Sequence, residues 1–91
     1  MSVTVRIPAP LRAVTGGESE VSVASGSVSQ VLAELESRFP GIKTRLRDDE
    51  GALRRFVNLY VNGEDVRFLK GLDTGLEAGD EVSIIPAVAG G

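Results

Sequence analysis

The sequence predicts an α+β fold in which one main helix packs across a mixed β-sheet. Three observations predict it: short segments that alternate apolar and polar residues, one amphipathic helical pattern, and an Asn62-Gly63 dipeptide between two of the short segments. The chain has 91 residues, of which 42% are hydrophobic and 25% charged, which suits one domain with one thin core. We assign residues 1–86 to that domain and residues 87–91 to a flexible C-terminal tail.

The first element is a β-hairpin. Residues 3–7 (Val-Thr-Val-Arg-Ile) alternate apolar and polar side chains, and the same alternation returns at residues 20–24. Pro8 follows the first strand, and residues 15–18 (Thr-Gly-Gly-Glu) have the composition of a turn. The two segments are therefore predicted to pair as strands with a long connection between them.

The clearest helix follows this hairpin. Ser27 and Gln30 have the spacing of a capping box, in which each side chain binds the backbone N–H of the other residue. Apolar residues then recur on one helical face, at Val28, Val31, Leu32, Leu35 and Phe39. Pro40-Gly41 is predicted to end the helix.

Residues 42–55 are charged and show no clear period. Ile42 and Leu46 are the apolar residues expected to anchor a short turn there. Six of the ten basic residues lie between positions 38 and 55. Two interpretations of this charge stay open, a solvated surface or a basic patch that meets an acidic partner.

The remaining strands lie in the last third of the chain. Residues 56–61 form the strongest strand pattern, with Val57, Leu59 and Val61 on one face. Asn62-Gly63 favours a type I′ hairpin turn, so residues 64–68 are predicted to return as a short strand. Residues 71–79 are expected to form a loop, and residues 80–85 the last strand, closed by Pro86. Two strands, a helix and then further strands indicate an α+β roll of the ubiquitin-like, β-grasp kind.

Composition excludes several function classes. There is no cysteine and no histidine, so the chain has no disulfide, iron–sulfur cluster, zinc ribbon, or Cys- or His-based nucleophile or base. We expect no catalytic side chain, no metal ligand and no cofactor in this chain, and hence no enzyme acting by itself. A net charge of −3 argues against a nucleic-acid partner. No segment is apolar enough to predict a membrane span, and the N-terminus lacks the basic-then-apolar pattern of a signal sequence. The expected location is the cytoplasm.

The C-terminal residues have an unusual composition. Ala87-Val88-Ala89-Gly90-Gly91 carries only small side chains and Val88, and it ends in two glycines. A frayed chain end is one explanation. The other is a narrow segment with a terminal carboxylate that can enter a channel too tight for a Cβ atom. We favour the second, with Val88, Ala89 and Gly90 threading into a partner.

Two segments carry a resemblance to a known family. Residues 79–91, with Gly-Asp-Glu-Val followed by the strand and the terminal Gly-Gly, resemble the end of the ubiquitin-like sulfur carriers of the MoaD/ThiS family. Residues 55–68 are similar to the branch of that family that serves cysteine biosynthesis, and Thr15-Gly16-Gly17 extends the likeness towards the start. The resemblance therefore spans almost the whole chain.

The resemblance implies a protein that carries sulfur on its C-terminus. An E1-like adenylyltransferase and sulfurtransferase would adenylate the Gly91 carboxylate with ATP and Mg²⁺ and convert it to a thiocarboxylate. A PLP-dependent cysteine synthase would accept the sulfur, and a metalloprotease would release cysteine. Partner docking is expected on the outer sheet face beside the tail, with Ile85, Tyr60 and Phe68 as candidates; ordinary packing is the alternative for these three residues.

Three other functions stay open. A molybdopterin-synthase small subunit would use the same sulfur chemistry, although such carriers usually have a second proline where this chain has Ala87 after Pro86. A ubiquitin-like modifier would be joined through Gly91 to lysines of target proteins. A β-grasp binding module without tail chemistry would keep its function after deletion of Gly90-Gly91.

Overall fold

A computed structural model of the protein describes residues 2–55 and 57–86. Its strands are β1 (Ser2–Arg6), β2 (Glu20–Ala24), β3 (Val57–Val61), β4 (Glu64–Asp65) and β5 (Glu81–Pro86), and its helices are α1 (Val28–Arg38) and α2 (Pro40–Leu46). Three short 3-10 segments cover Ala9–Val14, Val66–Phe68 and Gly71–Asp73. The predicted α+β roll is confirmed. The predicted tail, residues 87–91, lies outside the described residues, as does Phe56.

The sheet has the strand order β2-β1-β5-β3-β4. β1 pairs antiparallel with β2 and parallel with β5, while β5 pairs antiparallel with β3. β5 therefore lies in the middle of the sheet, although it is the last strand in the chain. Its final residue, Pro86, is opposite Val57 at the start of β3. We call this end of the sheet the tail end, and the end that holds the β3–β4 turn the hairpin end.

One core joins the helix to the sheet. Val28, Val31, Leu32 and Leu35 of α1 are at most 1% exposed and pack with the inward residues of the strands. The capping box forms as predicted, since the Ser27 N–H donates to Gln30 Oε1 at 2.8 Å and the Gln30 N–H to Ser27 Oγ at 3.2 Å. The helix ends at Arg38, and Phe39 beyond it is half-buried.

A second helix, α2, replaces the short turn predicted near Ile42 and Leu46. Proline is tolerated in the first turn of a helix, where its missing N–H has no partner to lose, so Pro40 begins α2 as well as following α1. Ile42 and Leu46 are four residues apart and both 0% exposed, so one face of this short helix closes the core. Within the described ranges, neither helix is long and apolar enough to cross a bilayer.

The β3–β4 hairpin confirms the predicted turn and corrects the length of its second strand. Asn62 and Gly63 have φ values of 51° and 87°, as a type I′ turn requires. β4 then stops at Asp65, and Val66–Phe68 forms a 3-10 turn instead of the predicted strand. The Asp65 carboxylate accepts a hydrogen bond from the Arg67 N–H at 2.8 Å, which turns the chain away from the sheet.

Candidate functional site

The candidate site begins at Pro86, the residue that precedes the predicted tail; we call the surface around Pro86 the root of the tail. β5 is the middle strand of the sheet, and its last residue, Pro86, pairs with Val57 of β3, whereas the pairing of β5 with β1 ends at Ser83. Val88, Ala89, Gly90 and Gly91, the residues predicted to thread into a partner and to carry sulfur, lie outside the described residues. The structure therefore describes the surface around Pro86, the last described residue before them.

The outer face of the sheet beside this root carries two of the three predicted docking residues. Val82 and Ile84 face the core at 0% and 2% exposure, and Ile85 faces outward at 47%. Tyr60 is half-buried on the same face of β3, diagonal to Ile85, because Asn58 is the residue directly opposite Ile85. Side chains in this diagonal relation are close enough for an aromatic ring to reach its neighbour.

Phe68, the third predicted docking residue, is placed differently. It is 81% exposed, but it lies on the 3-10 turn after β4 and therefore outside the strands. Of the described residues, the strands themselves expose one large hydrophobic side chain, Ile85. Docking through these residues stays a prediction, with Ile85 and Tyr60 on a common surface and Phe68 on a separate element.

Polar residues fill the rest of the outer face towards β2. Arg6 lies 3.6 Å from a carboxylate oxygen of Glu20 and 3.2 Å from one of Glu81, so it bridges the two strands that flank β1. All three side chains are roughly half-exposed, and exposed pairs of this kind add little stability. Because these charged side chains occupy the neighbouring part of the outer face, the apolar surface at Ile85 is small.

Two arginines of the basic segment, Arg45 and Arg54, line a cavity at the tail end of the sheet, a placement that sequence patterns did not predict. Arg54 is fixed at the C-terminus of α2, because its backbone N–H donates to the Leu46 carbonyl at 2.9 Å and its Nε to the Thr44 carbonyl at 2.9 Å. A cation is favourable beside the exposed carbonyls of a helix C-terminus. Arg54 also lines the same cavity as Val57 and Pro86.

Two carboxylates at the hairpin end have lowered pKa values. Hydrogen bonds from the Arg67 side chain and backbone N–H lower the pKa of Asp65, and Arg67 Nη2 lies 2.7 Å from Asp65 Oδ2. The backbone N–H of Glu77 and the side chain of Asn62 lower the pKa of Asp80 in the same way. These shifts favour permanently ionised groups that hold loops, which suits structure more than proton transfer.

Comparison with known families decides the classification of the chain. Residues 5–91 match the profile of the ThiS family, which includes the terminal Gly90-Gly91. The chain belongs to the ThiS family.

Individual named proteins are similar to this chain over its full length. Sulfur carrier protein CysO of Mycobacterium tuberculosis is 52% identical over 93 residues, with all of both chains covered. Small archaeal modifier protein 3 of Haloferax volcanii is 38% identical over 93 residues, again with both chains fully covered. The family that the sequence resemblance predicted is therefore confirmed, and the similarity to CysO supports the predicted branch, the one that serves cysteine biosynthesis.

Solved structures give the same result for the fold. A crystal structure of a BexX/CysO complex from Amycolatopsis orientalis contains a chain that superposes with a TM-score of 0.89 at 50% identity, covering 98% of this chain and 99% of that one. The β-grasp arrangement predicted for this ThiS-family protein is thereby confirmed.

Proposed function

We propose that this protein is a sulfur carrier that works through the carboxylate of Gly91. The observation that supports this most strongly is the 52% identity, over both full chains, to a protein named as a sulfur carrier. The family match also extends to Gly91. A carrier of this kind is a protein substrate, and its partners supply the catalytic groups.

The first reactions activate the tail. The α-carboxyl group is ionised near neutral pH, since its ordinary pKa is about 3.5. One of its oxygens attacks the α-phosphorus of ATP within an E1-like adenylyltransferase that holds Mg²⁺, and pyrophosphate leaves. A sulfide donor then attacks the acyl carbon and AMP leaves, so that Gly91 ends in a thiocarboxylate.

The next reactions transfer the sulfur to an amino acid. In a PLP-dependent cysteine synthase, the thiocarboxylate sulfur adds to an aminoacrylate formed from O-phosphoserine. An S-to-N acyl shift then joins the new cysteine to Gly91 through a peptide bond. A metalloprotease hydrolyses that bond, which releases cysteine and restores the Gly91 carboxylate.

The described surface supports such a role for the tail. Pro86 ends the middle strand of the sheet, next to the exposed Ile85 and on the strand that pairs with that of the half-buried Tyr60. A partner that receives Val88, Ala89 and Gly90 in a channel would contact this apolar surface at the channel mouth. Phe68, on its own turn, offers a second apolar contact. That the related CysO of Amycolatopsis orientalis forms a complex with BexX supports a protein partner here as well.

Intact-mass spectrometry tests the proposal. The purified protein is incubated with ATP, Mg²⁺, sulfide and lysate of its own host, and a variant lacking Gly91 is treated in parallel. We expect a mass gain that matches replacement of one oxygen by sulfur in the full chain and no gain in the variant. Adding O-phosphoserine should then produce a cysteinyl adduct, which identifies the cysteine branch.

A negative result has to come from a competent lysate. A known sulfur carrier added to the same lysate shows whether activation is working. If that carrier gains sulfur and this protein does not, the sulfur-carrier proposal is wrong.

A second candidate function is protein modification. The 38% identity to a small archaeal modifier protein favours it, and its activation through Gly91 would be the same. Isopeptide-linked conjugates on lysines in host lysate, lost when Gly91 is deleted, are the result that would support the modifier.

A further inference from the structure

A cavity lies at the root of the tail. Its volume is about 330 Å³, and Pro86, the last residue of β5, forms part of its wall. The buried Leu11 and Val57 supply an apolar floor. Thr44 and Arg45 of α2 and Arg54 form the polar part of the lining, and Pro10 completes it.

The charge around this cavity is positive. Two arginines and no carboxylate line it. Among the described residues, neither Arg45 nor Arg54 has a carboxylate within ion-pair distance, whereas Arg6, Arg38, Arg47 and Arg67 each have at least one. Arg54 is held in place by its hydrogen bonds to the end of α2, and Arg45 is exposed. The fold therefore positions two cations around the cavity that Pro86, the last residue of β5, also lines.

An enzyme that draws residues 87–91 into a channel has to cover Pro86, and Pro86 belongs to this cavity. Covering the arginines with an apolar or basic surface would remove water from two guanidinium groups without replacing its hydrogen bonds. Carboxylates opposite the arginines would replace those hydrogen bonds with charge-assisted ones. An apolar side chain would fill the floor.

We propose that the cavity rim at Arg45 and Arg54 is a recognition surface for the adenylating enzyme, which presents acidic side chains to the two arginines and one apolar side chain to the cavity. This inference rests on the proposed function, because it takes as the partner the enzyme that activates Gly91. The enzyme would then contact the carrier at two places, the tail and the cavity rim. The tail supplies the reacting atom, and the rim selects the carrier and aligns it at the channel mouth.

The test uses the purified adenylating enzyme of the same organism and ATP–pyrophosphate exchange as the readout. KM for the carrier and kcat are measured for Arg45→Glu, Arg45→Lys and Lys70→Glu. Lys70 is the matched control, because it is exposed and lies near the start of α1, away from the tail end. Its backbone N–H donates to Thr74 Oγ1, and the Thr74 carbonyl accepts from the N–H of Val28, the first residue of α1. Arg54→Gln is the second rim variant, and circular dichroism verifies that each variant is folded.

We expect Arg45→Glu to raise KM roughly tenfold while kcat changes less than about twofold, because a rim charge guides docking and does not touch the reacting atoms. Arg45→Lys and Lys70→Glu should both stay close to wild type, and Arg54→Gln should raise KM in the same direction. The wild-type KM should also increase between ionic strengths of about 0.05 and 0.3 M, and that of Arg45→Glu much less.

Several results would overturn the inference. Equal effects of Arg45→Glu and Lys70→Glu would mean that only net charge matters, and an unchanged KM would mean that the rim is not contacted. A lowered KM would indicate that the cavity holds the chain's own tail. Wild-type self-association in sedimentation that Arg45→Glu abolishes would assign the rim to a second copy. A wild type that supports no exchange contradicts the proposed function itself, whereas normal wild-type exchange with unaffected variants contradicts only the rim.

Discussion

Asp48, Asp65 and Asp80 each accept hydrogen bonds from backbone N–H groups in the segments that join the strands. Asp48 Oδ1 accepts from the N–H groups of Glu50 and Ala52 at 2.9 and 3.1 Å. Asp65 accepts from the N–H of Arg67 at 2.8 Å, and Asp80 accepts from the N–H of Glu77 at 2.8 Å. Carboxylates used in this way give short loops a defined shape. At the scale of single residues, the acidic groups therefore fix loops, and the chemistry proposed for the protein uses its terminal carboxylate.

Asp65→Asn should destabilise the protein in a pH-dependent way. The folded pKa of Asp65 lies below its ordinary value, so the carboxylate contributes stability above the unfolded pKa of about 4, and this contribution is lost as the pH falls through the folded pKa. Thermal unfolding should show a lower Tm for the variant at pH 7 and a difference that shrinks below about pH 4.

Asp73→Asn is the matched control for this measurement. Asp73 is exposed and its carboxylate makes no hydrogen bond within the described part of the chain. Its substitution should leave the Tm nearly unchanged at both pH values. A gap between wild type and Asp65→Asn that is the same at pH 7 and pH 3 would contradict the assigned role of the charge.

Gly90→Ala tests the tail at the same scale. An added methyl group and a restricted φ should hinder entry into a narrow channel, so adenylation should fall about tenfold or more, as small displacements near a reacting atom do. The readout is pyrophosphate exchange with the adenylating enzyme. Ala89→Gly, which removes a methyl group next to it, should retain activity within about twofold, and equal losses in both variants would argue against a steric cause.

The helix α1 shows how a single element is specified. Its N-terminus is capped by the reciprocal hydrogen bonds between Ser27 and Gln30. Its last turns carry an ion pair between Glu34 and Arg38, whose charged atoms are 2.7 Å apart. Gly26 is also constrained, because a Cβ atom there would lie 2.5 Å from Gln30 Oε1. The capping box therefore depends on three residues of the loop and the first turn.

Ser27→Ala should lower the free energy of unfolding by about 1 kcal/mol, within a range of roughly 0.5–2, because the Gln30 N–H loses its acceptor. For a domain of this size, that is a Tm decrease of about 4–8 °C. Ser29→Ala provides the control: Ser29 lies inside α1 and alanine is the better helix former, so its Tm should be unchanged or slightly higher. Equal decreases for both variants would show that the cap is not the cause.

The whole molecule has one core that depends on both helices and on the inward faces of the strands. Leu32 and Leu35 of α1, Ile42 and Leu46 of α2, and Ile84 of the middle strand all belong to one buried cluster. β1 and β5, from opposite ends of the chain, pair side by side in that structure. Helices and sheet should therefore unfold together, as in most single domains of this size.

Leu35→Ala tests this cooperativity. The side chain is 0% exposed, so truncation should cost about 2–5 kcal/mol through lost burial and a remaining cavity. Urea unfolding followed by far-UV circular dichroism and by fluorescence of Tyr60, the one tyrosine in a chain without tryptophan, should give shifted but coincident curves. Ala33→Ser, on the exposed side of α1, should change stability by less than about 0.5 kcal/mol. Separate curves for the two probes would contradict a single core.

Local patterns were sufficient for most elements of this protein. Alternation in β1, β2 and β3, the helical period and capping box of α1, and Asn62-Gly63 at the hairpin turn each act between residues close in sequence. The same is true of the Gly-Gly end and the strand before it, which carried the family resemblance. Short-range sterics and hydrogen bonds determine these features, so the sequence by itself determined them.

Tertiary structure decided what depends on distant residues. α2 is a helix because Ile42 and Leu46 pack in a core that other elements of the chain build. The same holds for the central position of β5 and for the meeting of Arg45 and Arg54 with Pro86 at one cavity. These residues are far apart in the chain, and they are neighbours only because burial of one shared apolar surface brings their elements together.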